Sequence, residues 1–482
     1  MRAKSMFTTI RLMEDGQLKD RSALSPSRIK RDGWYVFTDQ SGLLCPSLES
    51  IVLRYAAARP DIDIFYGDEA VDKEGISVSD TYYCKPCFDE TQLIAQDYIG
   101  WPLVVRGRAL ELLGRFEGDV STAFTYDLLL RAMSEGLAVE RIPEILVVRR
   151  SAPQRASSGD RLRALQRWLL RSQADCEVVS GRIEGTFRLR RKFDDFPHVT
   201  LLIPTCQALC KVGGNEAIGK PHILNMLASI CETDWPMDRL TVLIGDDVAN
   251  GALYGQREWP FELRRVDTAR LPDESFNYAH KMNCLWRAAE SEYVVLMNDD
   301  LVARSGDWLE ALMTFAFSEN VGGVGARLLY PDDKIQHAGM AGGVMGSCTH
   351  VFIGLPALAG TYQNWADVQR ECSMVTGAVF ATRKSLLEQI NGFDESFPLD
   401  FNDVDMCLRM RILGYRIVYT PHAELTHYES ASRGRRHQPG EAIALFMERW
   451  KDYLPNDPAY HPRLVRDTPI TAPMLRYDDW WV

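Results

Sequence analysis

The amino-acid sequence predicts an α/β fold in which helices flank a mostly parallel sheet. Three continuous apolar runs predict buried strands: VTLLI at 199–203, LTVLI at 240–244 and YVVLM at 293–297. Helical periodicity lies between these runs, around 222–231 and 278–289. The resulting order of strand, helix, strand, helix, strand is typical of a parallel sheet covered on both faces.

Polar side chains follow each of the three runs, at the point where the predicted strand ends. They are Thr205, Asp246, Asp247, Asn298, Asp299 and Asp300. Ligands of open parallel sheets bind in the crevice beyond the carboxyl ends of the strands. Because oxygen ligands suit a divalent cation, three converging polar ends predict a site for a metal-bound phosphate. A helix cap is the alternative role for Asp300, since a helix is predicted to begin near Asp307.

A second acidic cluster, Asn402, Asp403 and Asp405, precedes an apolar helical run at 406–413. We expect Asn402 to cap this helix and Asp403 to lie in its first turn, where the positive helix end stabilises a carboxylate. Such a carboxylate at a cleft edge can accept a proton from a nucleophile. His427 follows a further short strand, RIVYTP, and taken alone fits either a loop position or a metal ligand.

Composition and charge argue against several functions. The 482 residues are 46% hydrophobic and include 55 basic and 66 acidic side chains, for a net charge of -11. This acidity disfavours nucleic acid as a partner. No apolar run reaches the roughly 18 to 20 residues that cross a bilayer, and the N-terminal residues contain no continuous apolar segment. We therefore expect a cytoplasmic protein.

The cysteine pattern indicates reduced thiols rather than a disulfide framework. Eleven cysteines are spread at irregular spacing. Cys84 and Cys87, in CKPC, fit a redox dithiol or half of a zinc site. Chance spacing is the favoured interpretation because no second such pair follows.

A change of pattern at 151–196 predicts a domain boundary. This segment combines a polar linker, a basic amphipathic helix and a hairpin. Leu162, Leu165 and Leu169 form one side of the helix. That side either packs against the protein itself, which is the favoured interpretation, or contacts a membrane surface.

Ordered segments make the second half of the chain similar to a known family. They are LLIPT, FNYAHKMN, EYVVLMNDDLV, GVGARLLYPDDKIQHAG, VTGAVFATRKSLLEQINGFDESF and DFNDVDMCLRMRILGYRIVYTPHAELTHYESASRG. This region, 197–465, resembles the family 2 glycosyltransferases of the GT-A fold, inverting enzymes that build bacterial surface polysaccharides. The resemblance implies a Rossmann-like, mostly parallel sheet flanked by helices. It also implies a catalytic domain at 197–435, followed by a C-terminal helix and tail at 436–482.

The resemblance further implies the chemistry of the site. A nucleotide-diphosphate sugar is expected across the strand ends, with a divalent cation, Mg²⁺ or Mn²⁺, on its diphosphate. Asn298 occupies the first position of the family's Asp-x-Asp motif, so Asp300 is the expected main metal ligand, with Asn298 and His427 beside it. Asp403 matches the general base, which deprotonates the acceptor hydroxyl as it attacks and inverts the anomeric carbon.

Other positions match the family's contacts to the nucleotide and sugar of the donor. These expected donor-binding residues are Thr205, Asp246, Lys281, Asn283, Asp299, Thr376 and Gly377. A solvated helix position is the alternative for Lys281. His337, in IQHAG, is also shared with the family, and a structural hydrogen bond and a substrate contact fit it equally.

The first half of the sequence resembles the second. DGWYVFTDQSGLLCPSLES parallels SEYVVLMNDDLVARSGDWLE, and FTYDLLLRAMSEGLAVERIPEILV parallels FNDVDMCLRMRILGYRIVYTPHAEL. We therefore interpret 1–150 as a truncated GT-A-like module. Asp39 is retained, but Ser41, Thr125 and Val148 stand where the family has a metal carboxylate, the base and a histidine. TTIRLMEDG resembles the third strand, so the first nucleotide-binding strands are expected to be missing and this module is expected not to transfer sugar.

The leading hypothesis is an inverting, metal-dependent hexosyl or deoxyhexosyl transferase that acts on a hydroxyl of a glycan or lipid-linked acceptor. A nucleotidyltransferase is disfavoured because it needs no base such as Asp403. The alternative is a pseudoenzyme that binds a sugar nucleotide or glycan as partner of another transferase, since Asn298 weakens the metal motif. A homodimer, contact with other polysaccharide-assembly enzymes and a peripheral position on the cytoplasmic face of the inner membrane are all compatible with the sequence.

Overall fold

The chain forms two compact units in the computed structural model. The first comprises residues 1–189, 458–465 and 471–482, and the second comprises 190–457 and 466–470. The structure describes residues 6–12, 24, 27–40, 42–71, 82–114, 122–149, 156–210, 219–246, 251–268, 276–428 and 440–474. Ser41 and Asp247, which the sequence singled out, lie outside the described residues.

The first unit is built on one mixed sheet. Its described elements are β1 (Phe7–Leu12), β2 (Trp34–Asp39), β3 (Leu43–Leu44), α1 (Leu48–Ala58), β4 (Ile64–Val71), β5 (Tyr82–Tyr83), α2 (Glu90–Ala95), β6 (Leu103–Arg106), α3 (Gly107–Leu113), α4 (Phe124–Ser134), β7 (Val139–Arg149), α5 (Ser158–Ser172), β8 (Cys176–Ser180) and β9 (Phe187–Arg191). The sheet has the order β1-β2-β6-β4-β7-β3, and β8 pairs with β9 apart from it. Every residue of β2 and β4 is buried, including Asp68 and Glu69 in the middle of β4.

The helix predicted within 151–196 belongs to the first unit. Leu165 and Trp168 of α5 are buried in the core formed with α4 and the sheet, and Leu162 and Leu169 pack against that core. The leucine side predicted from the sequence is therefore occupied by the protein's own side chains, as the favoured interpretation required. Among the described helices, none combines the length and the apolar character needed to cross a membrane.

The second unit contains the predicted parallel sheet. Its described elements are β10 (Val199–Thr205), α6 (His222–Ile230), β11 (Leu240–Asp246), β12 (Glu262–Val266), α7 (Tyr278–Ala288), β13 (Tyr293–Met297), β14 (Leu301–Ala303), α8 (Trp308–Ala316), β15 (Val321–Leu329), β16 (Ile335–His337), β17 (Met340–Gly342), β18 (Cys348–His350), β19 (Arg370–Cys372), β20 (Val379–Arg383), α9 (Lys384–Ile390), α10 (Asn402–Ile412), β21 (Arg416–His427) and α11 (Gly440–Trp450). The central sheet has the order β12-β11-β10-β13-β20-β15-β21-β14. Neighbours among β10 to β13 are parallel, whereas β20 is antiparallel to both β13 and β15. The predicted α/β class and GT-A arrangement are confirmed, with all three apolar runs in buried strands.

The two units share one strand order. The order β2-β6-β4-β7-β3 in the first unit corresponds to β13-β20-β15-β21-β14 in the second, with the same relative direction at each step. Thr125 and Asp403 are each the second residue of the corresponding helices α4 and α10. Val148 pairs with Leu43 as His427 pairs with Leu301. The two sheets therefore share their strand order, and the interpretation of 1–150 as a truncated GT-A-like module stays a prediction.

The first strand of the first unit differs from the expectation. Its sequence resembles a third strand, which in the second unit is β12 at the sheet edge. Instead β1 pairs directly and in parallel with β2, the place that β10 has beside β13. β1 is thus the edge strand of this sheet as β12 is of the other, but the two strands that separate β12 from β13 have no counterpart among the described residues.

An arginine lies among the acidic side chains of the first unit. Asp39 ends β2, and its Oδ2 is 2.7 Å from Nη1 of Arg149. Nε of the same guanidinium is 2.9 Å from Oε2 of Glu69, and Nζ of Lys85 is 3.5 Å from Oε1 of Glu69. Arg149 is 1% exposed. Asp39 and Glu69 are thus paired with cationic side chains of the protein itself.

Cys84 of the CKPC sequence lies near a histidine of the first unit rather than in a disulfide. None of the eleven cysteines forms a disulfide, and Asp68, Cys84 and His461 place ligand atoms within 4.8 Å of one another. However, Nδ1 of His461 accepts the backbone N–H of Arg463 at 3.0 Å. The neutral imidazole then carries its proton on Nε2, which lies 2.8 Å from Oδ2 of Asp68. The CKPC cysteine thus lies beside a buried aspartate and histidine rather than beside Cys87 in a disulfide.

Candidate active site

The carboxyl end of β13 and the end of β21 bring three predicted ligands together. Nε2 of His427 is 3.0 Å from Oδ1 of Asp300 and 3.4 Å from Nδ2 of Asn298. The antiparallel pair β14 and β21 produces this contact, because Leu301 is opposite His427. The backbone N–H of Tyr428 also donates to the carbonyl of Asp300 at 3.0 Å. The register of the paired strands therefore brings together Asn298 and His427, which are 129 positions apart in the sequence.

Asp299 and Asp300 are adjacent but have opposite electrostatic surroundings. Burial raises the pKa of Asp299 to about 6, and the charge of Asp300 adds to this, although the Thr205 hydroxyl donates to its Oδ2. Burial also acts on Asp300, yet the hydrogen bond and charge of His427 outweigh it and lower the pKa of Asp300. Asp300 is thus an anion held by histidine, whereas Asp299 faces β10.

Tyr278 connects the ligand cluster to the second acidic cluster. Its hydroxyl donates to Oδ1 of Asn298 at 3.2 Å. Burial raises its pKa, and the charges of Asp403, Asp299 and Asp300 raise it further. The tyrosine at the start of α7 therefore lies among all three carboxylates, which places the predicted base near the predicted metal ligands.

The predicted base is positioned by a short loop and a helix start. Oδ2 of Asp403 accepts the N–H of Gly377 at 2.7 Å, and Oδ1 accepts the N–H of Val404 at 2.8 Å. A side chain on Gly377 would place its Cβ 2.9 Å from Cβ of Asp403, so the glycine permits this close approach. Asp403 lies in the first turn of α10, as expected. The expectation that Asn402 caps the helix is wrong, because the cap is Phe401 and Asn402 Nδ2 donates to the carbonyl of Leu399 at 2.8 Å.

The C-terminal helix supports the start of α10. Phe401 has a left-handed φ of 66°, a strained value for this residue type, and its ring stacks on Phe446 of α11 at 4.7 Å. Asp405 is fully buried, and its Oδ1 accepts from Arg449 Nη1 at 2.8 Å and from Trp450 Nε1 at 3.1 Å. The predicted tail helix therefore packs on the helix that carries Asp403.

The ends of β10 and β11 form the neighbouring part of the crevice. Oδ2 of Asp246 accepts from Gln207 Nε2 at 2.8 Å and from the Tyr254 hydroxyl at 2.6 Å. Lys281 is buried, and its Nζ donates to the carbonyl of Thr205 at 2.8 Å. The solvated position considered for Lys281 is thus not observed, and its charge also acts on Asp299.

Asn283 is the predicted donor-binding residue that the structure places elsewhere. It is 1% exposed, its Nδ2 donates to the carbonyl of Phe393 at 3.0 Å, and its Oδ1 accepts the N–H of the same residue at 2.9 Å. The indole of Trp286 also donates to its Oδ1 at 2.8 Å. Helical geometry explains this, since Asn283 is five positions beyond Tyr278 and points away from the carboxylates.

Gln336 and His337, in IQHAG, face the site from β16. Oε1 of Gln336 is 2.6 Å from Nδ1 of His427. Nε2 of His337 accepts the N–H groups of Gly339 at 3.3 Å and Thr376 at 3.5 Å. Burial lowers the pKa of His337 far below its ordinary value, so the imidazole is neutral and Nδ1 carries the hydrogen that faces His350 Nδ1 at 2.9 Å. Of the two roles considered for His337, the structure shows the hydrogen-bonding one, to the loop that contains Thr376.

Sequence reasoning missed the residues that orient the predicted ligands. They are Gln207, Tyr254, Tyr278 and Gln336. Tyr278 and Gln336 lie in FNYAHKMN and IQHAG, beside the predicted Lys281 and His337. Tyr278 lies one helical turn before Lys281, which could have indicated a shared face.

The donor atoms suit a divalent cation. Asp300 offers an anionic oxygen, and Nε2 of His427 would bind a cation in place of the hydrogen that it directs at Asp300, while Gln336 contacts the other ring nitrogen. Asn298 directs its oxygen to Tyr278 and its nitrogen to His427, so it is the weaker ligand of the three. One carboxylate and one imidazole, with an amide beside them, fit Mn²⁺ or Mg²⁺ with the remaining positions supplied by ligand oxygens.

The fold and the site define a class of α/β proteins. In this class a carboxylate and a histidine lie beyond the ends of parallel strands, and a second carboxylate lies at the start of a nearby helix. Within that class the chain belongs to glycosyltransferase family 2. The matching family model, described as Glycosyltransferase like family 2, covers residues 197–450, just over half of the 482 residues. The recognition made from the ordered segments is thereby confirmed.

Two relatives match across both units. An uncharacterised protein of Sinorhizobium fredii, y4gI, is 30% identical over 467 residues, which is 92% of this chain and 49% of that protein. The O-antigen biosynthesis protein RfbC of Myxococcus xanthus is 28% identical over 434 residues, 87% of this chain and 32% of that protein. The chain thus spans half or less of the length of these relatives.

Shorter and more distant similarities are also found. An N-acetylglucosaminyl-diphospho-decaprenol L-rhamnosyltransferase of Mycobacterium tuberculosis is 34% identical over 67 residues, 14% of this chain and 22% of that protein. A mannosyltransferase of Pyrobaculum calidifontis, solved with GDP-Man and Mn²⁺, is 18% identical and covers 54% of this chain and 71% of that chain at a TM-score of 0.35. GalNAc-T7, solved with UDP, GalNAc and Mn²⁺, is 8% identical over 53% of this chain and 50% of that chain at 0.39.

Proposed function

We propose that the chain is an inverting, metal-dependent glycosyltransferase of bacterial surface polysaccharide synthesis, with its active site in residues 197–435. The observation that carries the proposal is the grouping of Asp299, Asp300 and Asp403 around Tyr278, with His427 on Asp300. A protein that only binds a glycan needs no separate base opposite its cation ligands. Family membership and the similarity to an O-antigen biosynthesis protein support the substrate class.

The reaction would be a single displacement. The acceptor hydroxyl oxygen attacks the anomeric carbon and forms the new glycosidic bond while the bond to the diphosphate breaks. Asp403 takes the hydroxyl proton, and each of its oxygens keeps a second lone pair beside the one bound to a backbone N–H. The diphosphate leaves with the electron pair, and the anomeric configuration inverts.

The opposite side of the site would hold the donor, a nucleotide-diphosphate sugar. Asp300 and His427, with Asn298 beside them, would bind Mg²⁺ or Mn²⁺, which supplies positive charge to the departing diphosphate. Thr205 and Asp246, at the ends of β10 and β11, are proposed to contact the nucleoside. Thr376 and Gly377 are proposed to lie against the sugar, and a hexose or deoxyhexose passed to a glycan or lipid-linked hydroxyl fits the family.

The test is release of nucleoside diphosphate from a panel of nucleotide sugars with Mg²⁺ or Mn²⁺. We expect slow hydrolysis of one donor, and its loss in Asp300→Ala. Asp238→Ala is the matched control, because Asp238 is exposed and precedes the amino end of β11, at the other end of the strand from Asp246. Asp403→Asn should bind the donor with unchanged affinity while losing transfer. Unaltered transfer in Asp403→Asn would remove the residue from the base role.

The competing function is a pseudoenzyme that binds a sugar nucleotide or glycan. The neutral Asn298 in the metal motif favours it, because an amide binds a cation more weakly than a carboxylate. Calorimetric donor binding without turnover on any acceptor would establish this alternative in place of the proposal.

A further inference from the structure

We infer that His222, the first residue of α6, is a donor-binding residue whose Nε2 donates a hydrogen bond to an oxygen of the diphosphate. The inference rests on the proposed function and deepens it, because it names a protein group that contacts the leaving group directly. The sequence analysis did not single out this residue. The ligand class is a diphosphate, whatever nucleoside it carries.

Two backbone hydrogen bonds hold the start of α6 against the loop that follows β10. The N–H of His222 donates to the carbonyl of Ala208 at 2.9 Å, and the N–H of Cys210 donates to the carbonyl of Lys220 at 3.1 Å. The end of β10 is one of the strand ends that form the crevice. The first turn of α6 therefore lies beside the crevice.

The predicted cation ligands act electrostatically on this part of the crevice. Burial raises the pKa of the Cys210 thiol, and the charge of Asp300 adds to this. Burial lowers the pKa of His222, and the charge of Asp300 opposes this. The imidazole also packs against the ring of Tyr428, with centroids 5.6 Å apart, and the N–H of Tyr428 donates to the carbonyl of Asp300 at 3.0 Å. His222 therefore lies on the metal side of the site.

A short hydrogen-bond chain orients the imidazole. Nδ2 of Asn225, one turn further along α6, donates to Sγ of Cys210 at 3.2 Å. Sγ in turn lies 3.4 Å from Nδ1 of His222. Because burial raises the pKa of Cys210, its sulfur keeps a hydrogen, which it can donate to Nδ1. The ring hydrogen of a neutral His222 is then on Nε2.

Nε2 of His222 is the atom that this chain leaves without an acceptor. His222 is 4% exposed, and its Nε2 has no hydrogen-bond partner among the residues that the structure describes. A buried N–H without an acceptor is destabilising, so its presence calls for a ligand. An anionic oxygen would accept from Nε2, and the positive amino end of the α6 dipole favours the same charge. Two independent features at one place thus point to an anion.

The proposed cation explains why an anion would bind in an acidic crevice. Asp299 and Asp300 repel a free phosphate, whereas a cation held by Asp300 and His427 compensates their charge. In the proposed reaction the diphosphate binds that cation and gains negative charge as it leaves. A hydrogen bond from His222 would strengthen as this charge develops, so it would stabilise the transition state more than the bound donor.

The first test is calorimetric binding of inorganic pyrophosphate at saturating Mn²⁺, which requires no knowledge of the nucleoside. His222→Phe keeps a ring against Tyr428 but has no N–H. It should weaken pyrophosphate binding about 10-fold to 100-fold, the usual effect of losing a hydrogen bond to a charged group. His222→Gln, whose amide can place an N–H near the position of Nε2, should retain most of the affinity. Binding of Mn²⁺ without pyrophosphate should be unchanged in both variants.

Thr233→Val is the matched control. Thr233 is 6% exposed and lies beyond the carboxyl end of α6, where its Oγ1 accepts from the indole of Trp308 at 2.9 Å. The substitution therefore removes a buried polar contact near the other end of the same helix. We expect unchanged affinity for pyrophosphate, and a loss equal to that of His222→Phe would reduce His222 to a structural residue.

The second test observes the contact in the wild-type protein. ¹H–¹⁵N correlation spectra of protein labelled with ¹⁵N-histidine are recorded with Mg²⁺, which is diamagnetic, before and after addition of pyrophosphate. His222→Gln assigns the signals. We expect the Nε2 hydrogen of His222 to move downfield when pyrophosphate binds. This measurement decides the role of His222 even if His222→Phe does not fold.

The outcomes separate the inference from the proposed function. Unchanged pyrophosphate affinity in His222→Phe, or a His222 spectrum that bound pyrophosphate leaves unaltered, overturns the role of His222 while the proposed function stands. A wild-type protein that binds neither Mn²⁺ nor pyrophosphate overturns both, since it then has no diphosphate site.

Discussion

At the scale of single residues, the site assigns different charge states to neighbouring carboxylates. Asp300 is held as an anion by His427, whereas burial raises the pKa of Asp299 to about 6. Two adjacent anions in a buried crevice would repel each other. Below about pH 6 the repulsion is relieved because Asp299 is protonated, and above it the His427 side chain and the Lys281 charge offset part of it.

The raised pKa of Asp299 predicts a pH-dependent stability in EDTA. The pKa of an aspartate in the unfolded chain is ~3.9, so the folded state binds the Asp299 proton more tightly than the unfolded state does. The contribution of this proton to the free energy of unfolding therefore falls as the pH rises from ~4 to about 6. Asp299→Asn should therefore raise the free energy of unfolding by about 3 kcal/mol at pH 8 and by less than about 0.5 kcal/mol at pH 4. Denaturant titrations at both pH values check this. An equal change at both would contradict the assigned pKa.

Gly377 predicts a residue-scale effect on transfer. A methyl group at this position would meet Cβ of Asp403 at 2.9 Å, so Gly377→Ala must displace the start of α10. We expect transfer to fall about 100-fold with donor affinity nearly unchanged, because small misplacements of a catalytic group are costly. Gly360→Ala, whose Cβ would meet nothing within 4 Å, is the control. Wild-type transfer in Gly377→Ala would show that the loop adjusts freely.

At the scale of elements, the sequence periodicity predicts which side of a helix is buried. Only the tertiary packing shows what that side is buried against. The leucines of α5 were compatible with a membrane surface or with the protein, and the structure places Leu165 fully inside the core of the first unit. Similarly, α11 is amphipathic in sequence, and only the fold shows Phe446 stacked on Phe401 next to Asp403. Each helix therefore acts as support for the element beside it.

The packing of α5 predicts unequal effects of two leucine substitutions. Leu165→Ala should lower the free energy of unfolding by about 2 to 5 kcal/mol, since it opens a cavity in the core. Leu170→Ala should change it by less than about 0.5 kcal/mol, because Leu170 is 80% exposed. Chemical denaturation measures both. Comparable losses for the two variants would argue that α5 buries a different side.

At the scale of the whole molecule, two units with one strand order treat their acidic strand ends differently. In the second unit Asp300 lies against His427, where we propose that a cation binds, whereas the first unit pairs Asp39 and Glu69 with Arg149. A guanidinium fixed in the chain fills the electrostatic role that a divalent cation would have. We therefore expect transfer to depend on the second unit alone.

Arg149→Met tests this division of roles. Removing the guanidinium leaves buried Asp39 and Glu69 without their main partner, and we expect a loss of about 3 to 5 kcal/mol in the free energy of unfolding of the first unit. Adding Asp39→Asn and Glu69→Gln should recover part of that loss. Transfer per folded molecule should stay near the wild-type value in the triple variant. Loss of transfer in a fully folded triple variant would place chemistry in the first unit.

Much of the fold was accessible from sequence because burial leaves a direct pattern. VTLLI, LTVLI and YVVLM predicted β10, β11 and β13, and the repeat with FTYDLLLRAMSEG predicted that α4 would correspond to α10. The ends of elements were less accessible: the cap of α10 fell on Phe401, whose strained φ depends on the stacking of Phe446. Local preference favours asparagine at a cap, and tertiary packing overrode it.

The sequence by itself determined the α/β class, the family and the residue types of the site, since apolar runs and ordered motifs are local properties of the chain. Tertiary structure alone decided which of those residues meet. Only in the folded chain does His427 contact Asp300, and only there is Asn283 buried against Phe393. The contacts of Tyr278 with Asn298 and of Gln336 with His427 likewise depend on the fold. The physical reason is that contacts between distant residues depend on strand register and helix packing, which emerge only when the whole sheet is assembled.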